Sequence, residues 1–145
     1  MNRIDFKKYN RILGISTGIL SFVVFALTVE PTASYWDCAE YISTSAKLQI
    51  GHPPGAPLFQ MLGAIFSIFA LELNQIAYAV NMMSVLSSAL TIVFLFWSIS
   101  LIGKEILGLT NSLKTDEAIK VFGSSFLGSI SFTFTDSFWF NAVEA

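Results

Sequence analysis

The sequence predicts an all-α membrane protein, a polytopic bundle of helices, and three observations carry that reading. Only 12% of its 145 residues are charged, about half of the roughly 25% usual in a soluble domain. Hydrophobic residues make up 54% of the chain, and the mean hydropathy is +0.65. The apolar residues also come in long uncharged runs, the pattern that a bilayer-spanning helix requires. A net charge of −2 gives no footprint for a polyanion partner, which argues against nucleic acid.

Met1 to Arg11 is polar and basic, with Arg3, Lys7, Lys8 and Arg11 against Asp5. Residues 12–29 follow without a charge and form the first expected span. The basic flank places the N-terminus in the cytoplasm by the positive-inside rule. A cleaved signal peptide is the rival reading, but its apolar region is ordinarily only ~7–15 residues long. Pro31 stops the helix, because proline has no N–H to donate to the preceding turn.

Residues 35–49 mix aromatic, acidic and small side chains and read as an amphipathic helix at the membrane surface. Gly51-His52-Pro53-Pro54-Gly55 breaks it. Residues 57–71 are apolar but short before Glu72, which suits an interfacial or re-entrant helix better than a span. Residues 78–102 form the second and strongest expected span. The loop from Gly103 to Ala118 carries Lys104 and Lys114 beside Glu105, Asp116 and Glu117. Residues 119–135 form a third expected span, rich in glycine and serine, which allow close helix packing in lipid. Phe138-Trp139-Phe140 reads as an interfacial aromatic belt. If 57–71 only dips into the membrane, the lysine-bearing loop is cytoplasmic and Glu144 lies on the same outer side as Asp37. The whole, residues 1–145, reads as one incomplete transmembrane domain.

The chemistry concentrates between the first two spans. Asp37 is either a general base toward a hydroxyl or a helix cap. Glu40 lies at i, i+3 from it and so on the same face, where it either holds a substrate hydroxyl or forms the wet side of the helix. His52, the only histidine, sits between glycines and prolines that fix the backbone around it. As an imidazolium it would suit a phosphate, and otherwise it is a turn residue. Asp136 and Glu144 bracket the last aromatic cluster, as site residues or as ordinary polar helix ends. Cys38 is the single cysteine, so no internal disulfide forms, and outside the cytoplasm it is a free thiol or pairs with another chain. No zinc-type ligand spacing, glycine-rich phosphate loop or serine–histidine–aspartate arrangement is present.

Three stretches together resemble a known family. They are Trp36-Asp37-Cys38-Ala39-Glu40-Tyr41, then Lys47 to Leu58 with its Gly51-His52-Pro53-Pro54-Gly55 turn, and Phe138-Trp139-Phe140-Asn141-Ala142-Val143-Glu144-Ala145. The family is a bacterial membrane one similar to the animal transmembrane protein O-mannosyltransferase, within the GT-C superfamily of glycosyltransferases. The resemblance implies the N-terminal part of a GT-C-like fold, with interfacial helices in its first outer loop, from a family whose members are several times longer. It implies transfer of a hexose, mannose first among them, from a polyprenyl-phosphate-linked donor to serine or threonine hydroxyls of an acceptor protein. It further implies a bacterial inner membrane location with the active-site loop outside. Asp37 would be the catalytic base, Glu40 and Glu144 would line the substrate site, and His52 would lie near the donor phosphate. No metal ligands are assigned and a divalent ion is left open. The region from Glu30 to Ala56 has no arginine, so the main phosphate clamp would lie elsewhere. A small non-catalytic membrane subunit or scaffold is the alternative function. A transporter ranks last, because the spans carry no mid-membrane ionisable residue.

Overall fold

The computed structural model describes residues 3–34 and 36–144. Tyr35, the expected start of the surface helix, and Ala145, the last residue of the third motif, lie outside the described residues. Among the described residues six α-helices run in order: α1 (Phe6–Thr28), α2 (Cys38–Lys47), α3 (Pro57–Ser67), α4 (Ile76–Ile106), α5 (Thr115–Thr133) and α6 (Asp136–Ala142). A 3-10 turn at Leu73–Gln75 leads into α4. The departure from an all-α chain is one antiparallel pair of two-residue strands, β1 (Ile4–Asp5) and β2 (Ser112–Leu113).

Helix α1 starts at Phe6 rather than residue 12, because its basic flank is itself helical. Lysine and arginine are good helix formers, and Asp5 Oδ1 accepts the Lys8 N–H at 3.0 Å, satisfying one open donor of the first turn. Helix α4 likewise runs past residue 102 to Ile106, and the turn beyond it contains Gly108 at φ +59, a left-handed conformation that glycine adopts without strain. Helix α5 begins four residues before the expected 119, where Glu117 Oε2 accepts the Lys114 N–H at 2.8 Å. Proline at the first position of α3 is favourable, since that N–H has no helical partner.

Among the described residues two helices are long and apolar enough to cross a membrane: Phe6–Thr28 and Leu73–Ile106. The third expected span corresponds to α5, which is not one of them and carries Asp116, Glu117 and Lys120 near its start. Helix α3, with 11 residues, rises only about 16 Å at 1.5 Å per residue, roughly half the hydrocarbon thickness.

The chain divides into two units, Met1–Val23 with Ala89–Phe138 and Val24–Ser88 with Trp139–Ala145. In the first, the β1–β2 pair and the bond from Phe6 N–H to Asn111 C=O (2.9 Å) tie the N-terminus to the loop after α4. Phe6 stacks on Phe122 with ring centres 5.6 Å apart, and Phe96, Leu113, Ala118 and Val121 complete that core. Asn10 accepts from Trp97 and Ser100, while a side chain at Gly14 would strike Trp97 and one at Gly18 would strike Val93. Rising numbers in α1 thus meet falling numbers in α4, so the two helices run antiparallel here. The small-residue face of α5 is narrower than the glycines and serines suggest: Val121, Ser125, Ser129 and Thr133, at four-residue spacing, are buried. Thr133 meets Ser21 hydroxyl to hydroxyl at 3.1 Å.

In the second unit α2 lies against α3 so closely that a Cβ at Gly63 would come within 2.8 Å of Ser45 side-chain atoms. Cys38, Ile42 and Val80 form the core there, with Phe59, Ile76 and Ala77 against them. Tyr41 packs edge-on to Phe59 with centres 5.3 Å apart. Trp139 of the expected aromatic belt is partly buried and packs edge-on against Phe25 at 5.6 Å.

Candidate functional site

The stretch from Asp37 to Gly55 is short, yet it reverses twice. Asp37 is the N-cap residue of α2 and its backbone C=O accepts the first helical bond, from Tyr41 N–H at 2.9 Å. Helix α2 ends at Leu48 in a left-handed conformation (φ 48, ψ 46), which turns the chain back. His52 C=O then accepts the Gly55 N–H at 2.8 Å across Pro53 and Pro54, whose peptide bond is cis, and Gly55 sits at φ +73. The reversal at Leu48 returns His52 to the first turn of α2.

There three of the four expected site residues, Asp37, Glu40 and His52, converge. Glu40 Oε1 accepts the His52 backbone N–H at 2.6 Å, and Glu40 Oε2 lies 2.8 Å from His52 Nδ1. His52 Nε2 is 3.8 Å from Asp37 Oδ2, close enough for Coulombic attraction but too long for a hydrogen bond. All three side chains keep contact with solvent, with relative exposures of 62% for Asp37, 38% for Glu40 and 50% for His52. The fit depends on Gly51, where a Cβ would lie 3.0 Å from Gln60 Nε2 and 3.1 Å from Glu40 Oε1. Gln60, buried on α3, is itself held by a bond to Thr44 Oγ1 at 3.2 Å.

The electrostatics follow from these bonds. The His52 backbone N–H, then the His52 ring, hold the Glu40 carboxyl below its ordinary value. Glu40, by hydrogen bond and charge, and Asp37 by charge, raise the His52 imidazole above its ordinary value. Fully ionised, two carboxylates and one imidazolium leave a net charge of −1. A phosphate approaching here meets one remaining ring N–H, on Nε2, against two carboxylates.

Asp37 makes no side-chain bond to the end of α2, so the capping alternative open in the sequence is not what its carboxylate does. Glu40 is not simply the wet face of a helix, since both its oxygens serve His52. Glu144 is placed differently from the other three: it accepts a hydrogen bond from Ser34 Oγ, and no bond or ion pair among the described residues joins it to the trio. Asp136 opens α6. Cys38 is 4% exposed and packed in the core, which removes it from pairing with another chain while α2 stays in place. Among the described residues Asp37, Glu40 and His52 are a group that could hold a divalent cation, each offering one ligand atom, all within 4.8 Å of one another.

One positioning residue was not singled out from the sequence. Asn81, fully buried in α4, donates through Nδ2 to the C=O groups of Glu30 (2.8 Å) and Thr32 (3.1 Å). Those bonds, with Glu30 N–H donating to Val143 C=O at 2.9 Å, fix the strand of chain that leads to Asp37. Its signal was an amide inside an otherwise apolar run, where a polar side chain needs a partner.

Over residues 37–145 the chain matches the family described as the protein O-mannosyl-transferase TMEM260 N-terminal domain. It is 30% identical over 80 residues to the protein O-mannosyl-transferase tmem260 of Dictyostelium discoideum, a match covering 54% of this chain and 10% of that protein. It is 33% identical over 76 residues to the protein O-mannosyl-transferase TMEM260 of Mus musculus, covering 52% of this chain and 11% of that protein. The matched part therefore spans about a tenth of the length of either relative. No solved structure matches the chain.

Proposed function

Because the chain belongs to the TMEM260 N-terminal domain family of protein O-mannosyl-transferases, we propose that it forms the acceptor-activating module of a membrane glycosyltransferase. The enzyme moves a hexose, mannose first among the candidates, from a polyprenyl-phosphate-linked donor to a serine or threonine hydroxyl of a protein, within a GT-C-like fold. The observation that carries this reading is the convergence of Asp37, Glu40 and His52 from two ends of one loop.

Asp37 is the base. Its carboxylate is exposed and is not spent on capping α2, so it is able to take the acceptor hydroxyl proton as the oxygen attacks the sugar carbon. Glu40 binds both the backbone and the ring of His52 and so positions it. His52 keeps its Nε2–H for a donor oxygen. The net negative charge of the trio means that the donor phosphate needs cations from elsewhere in the enzyme. Glu144, through Ser34, braces the approach to the loop.

The active loop lies on the outer face of the membrane in this reading. Support comes from the antiparallel run of α1 and α4 and from the strand pair joining residues 4–5 to 112–113. If α1 and α4 both cross, the chain between them stays on the side opposite the basic N-terminus, and α3 does not cross. A membrane-impermeant maleimide should label Lys47→Cys from outside intact cells; labelling only after the cells are opened would overturn this orientation.

The test of the catalytic role is Asp37→Asn in the full membrane-embedded enzyme, assayed with polyprenyl-phosphate mannose and other lipid-linked hexoses. Loss of a positioned base should lower transfer about 10²- to 10⁴-fold while membrane insertion stays unchanged. Transfer at the unsubstituted rate would remove Asp37 from the base role. No transfer by the native enzyme with any donor would favour the scaffold alternative.

A further inference from the structure

A groove within the first unit has the opposite electrostatic character to the Asp37, Glu40 and His52 cluster. It is open to solvent, has a volume of about 310 Å³ and is lined by Phe6, Lys7, Asn10, Arg11, Trp97, Leu101, Lys104 and Asn111. That volume is at the lower end of small-molecule sites (~300–1,000 Å³). Three of the lining side chains are cationic and none is acidic.

The cations are arranged by the fold. Lys7 and Arg11 are four residues apart on α1 and so share a face. The Lys104 ammonium is held by Asn111 Oδ1 at 2.9 Å and over the Phe6 ring at 5.0 Å from its centre. The rest of the lining includes apolar side chains: Trp97 is anchored through its indole N–H to Asn10 C=O at 3.0 Å, and Leu101 is 52% exposed. Cationic and apolar side chains lining one groove, at the ends of two helices long enough to span a bilayer, match a ligand with a phosphate and hydrocarbon tails.

We infer that this groove binds the headgroup phosphate of an anionic phospholipid of the leaflet facing the N-terminus. Lys7, Arg11 and Lys104 hold the phosphate and the acyl chains run along Trp97 and Leu101. Basic pockets between membrane helices take anionic headgroups in this way, and tryptophan at the interface suits the glycerol level. The inference does not depend on the transferase reading.

Native mass spectrometry of the full protein in detergent, titrated separately with phosphatidylglycerol and phosphatidylcholine, tests it. Phosphatidylglycerol should bind more tightly, and Arg11→Gln and Lys104→Gln should each weaken it about fivefold, the effect of one cation near a membrane surface. Lys8→Gln, which removes an exposed cation outside the groove, should leave binding unchanged, and Arg11→Lys should retain most of it, a check independent of Lys104's structural bonds. Glycerol phosphate at equal concentration should not displace the lipid. Equal binding of the two lipids, equal weakening by Lys8→Gln, or displacement by glycerol phosphate would overturn the assignment, the last by showing that a soluble phosphate is the ligand.

Discussion

Helices α2 and α5 each carry a glutamate at the third position after the N-cap, and they use it differently. At the start of α5, Glu117 reaches back and accepts the Lys114 N–H, closing an open backbone donor in the manner of a capping box. At the start of α2, Glu40 occupies the same position behind an aspartate N-cap, a pairing made for the same motif. It turns away instead, to the backbone and ring of His52, and Asp37 also makes no capping bond. The first turn of α2 therefore gives up a helix-stabilising arrangement worth about 0.5–2 kcal/mol. Two acidic side chains withheld from their ordinary structural use and gathered round one imidazole are what separates a site from a helix end.

The comparison breaks most visibly at Glu40. Glu40→Gln keeps the shape but removes the charge, and transfer should fall about 10²-fold, as expected for lost positioning. Histidine NMR should show the His52 pKa dropping back toward 6.5, its ordinary value. A His52 titration unchanged by the substitution would mean the Glu40 contact is not formed. In the unsubstituted protein the two groups respond to pH in opposite senses. Glu40 is lowered, so its contribution is present above about its ordinary 4.5 and lost as pH falls through the depressed value. His52 is raised, so its contribution is complete below 6.5 and lost as pH rises through the elevated value. The turn should thus be held most firmly between these limits, measurable as hydrogen-exchange protection of the His52 amide.

Asn81→Ala comes next in size. It removes the donor to the Glu30 and Thr32 carbonyls, which are only partly shielded from solvent, and should destabilise the protein by about 0.5–1.5 kcal/mol and loosen the approach to Asp37; unfolding in detergent at the unsubstituted midpoint would refute the clamp. Gly51→Ala is milder: Gln60 and Glu40 must each give by a few tenths of an ångström, so transfer should fall by about tenfold or less with the His52 pKa shifted the same way as in Glu40→Gln. Glu117→Ala should be smallest for function. Thermal unfolding should register about 0.5–1 kcal/mol, and transfer should not change. A loss of transfer as large as that of Glu40→Gln would erase the distinction between the two helix starts.

Much of this was legible in the chain because it is written locally. The uncharged runs marked α1 and α4, and the spacing of Asp37 and Glu40 with the glycines and prolines around His52 marked the loop that gathers them. The helix starts were less legible. The basic residues 7–11 read equally well as a solvated flank, and only the Asp5 contact and the pairing of residues 4–5 with 112–113 make them a helical turn in a fixed place. Non-local pairings are hidden from a local reading. Nothing adjacent to Glu144 announces Ser34, 110 residues away, and Asn81 finds its carbonyls 49 and 51 residues upstream. The diversion of Glu40 was hidden for a related reason, since its sequence context is that of a capping box and only the returning loop decides otherwise.

Cys38 gives the protein a built-in clock. The thiol lies one residue beyond Asp37, packed with Ile42 and Val80 at 4% exposure, and it is the chain's only one. A thiol reagent reaches it only when the first turn of α2 lifts away from α4, the same movement that scatters Asp37, Glu40 and His52. With reagent in excess the modification rate then counts openings of the loop, in the native sequence and without an engineered label. A substrate that closes over the trio should slow that count, and one that binds elsewhere should leave it ticking at its own pace.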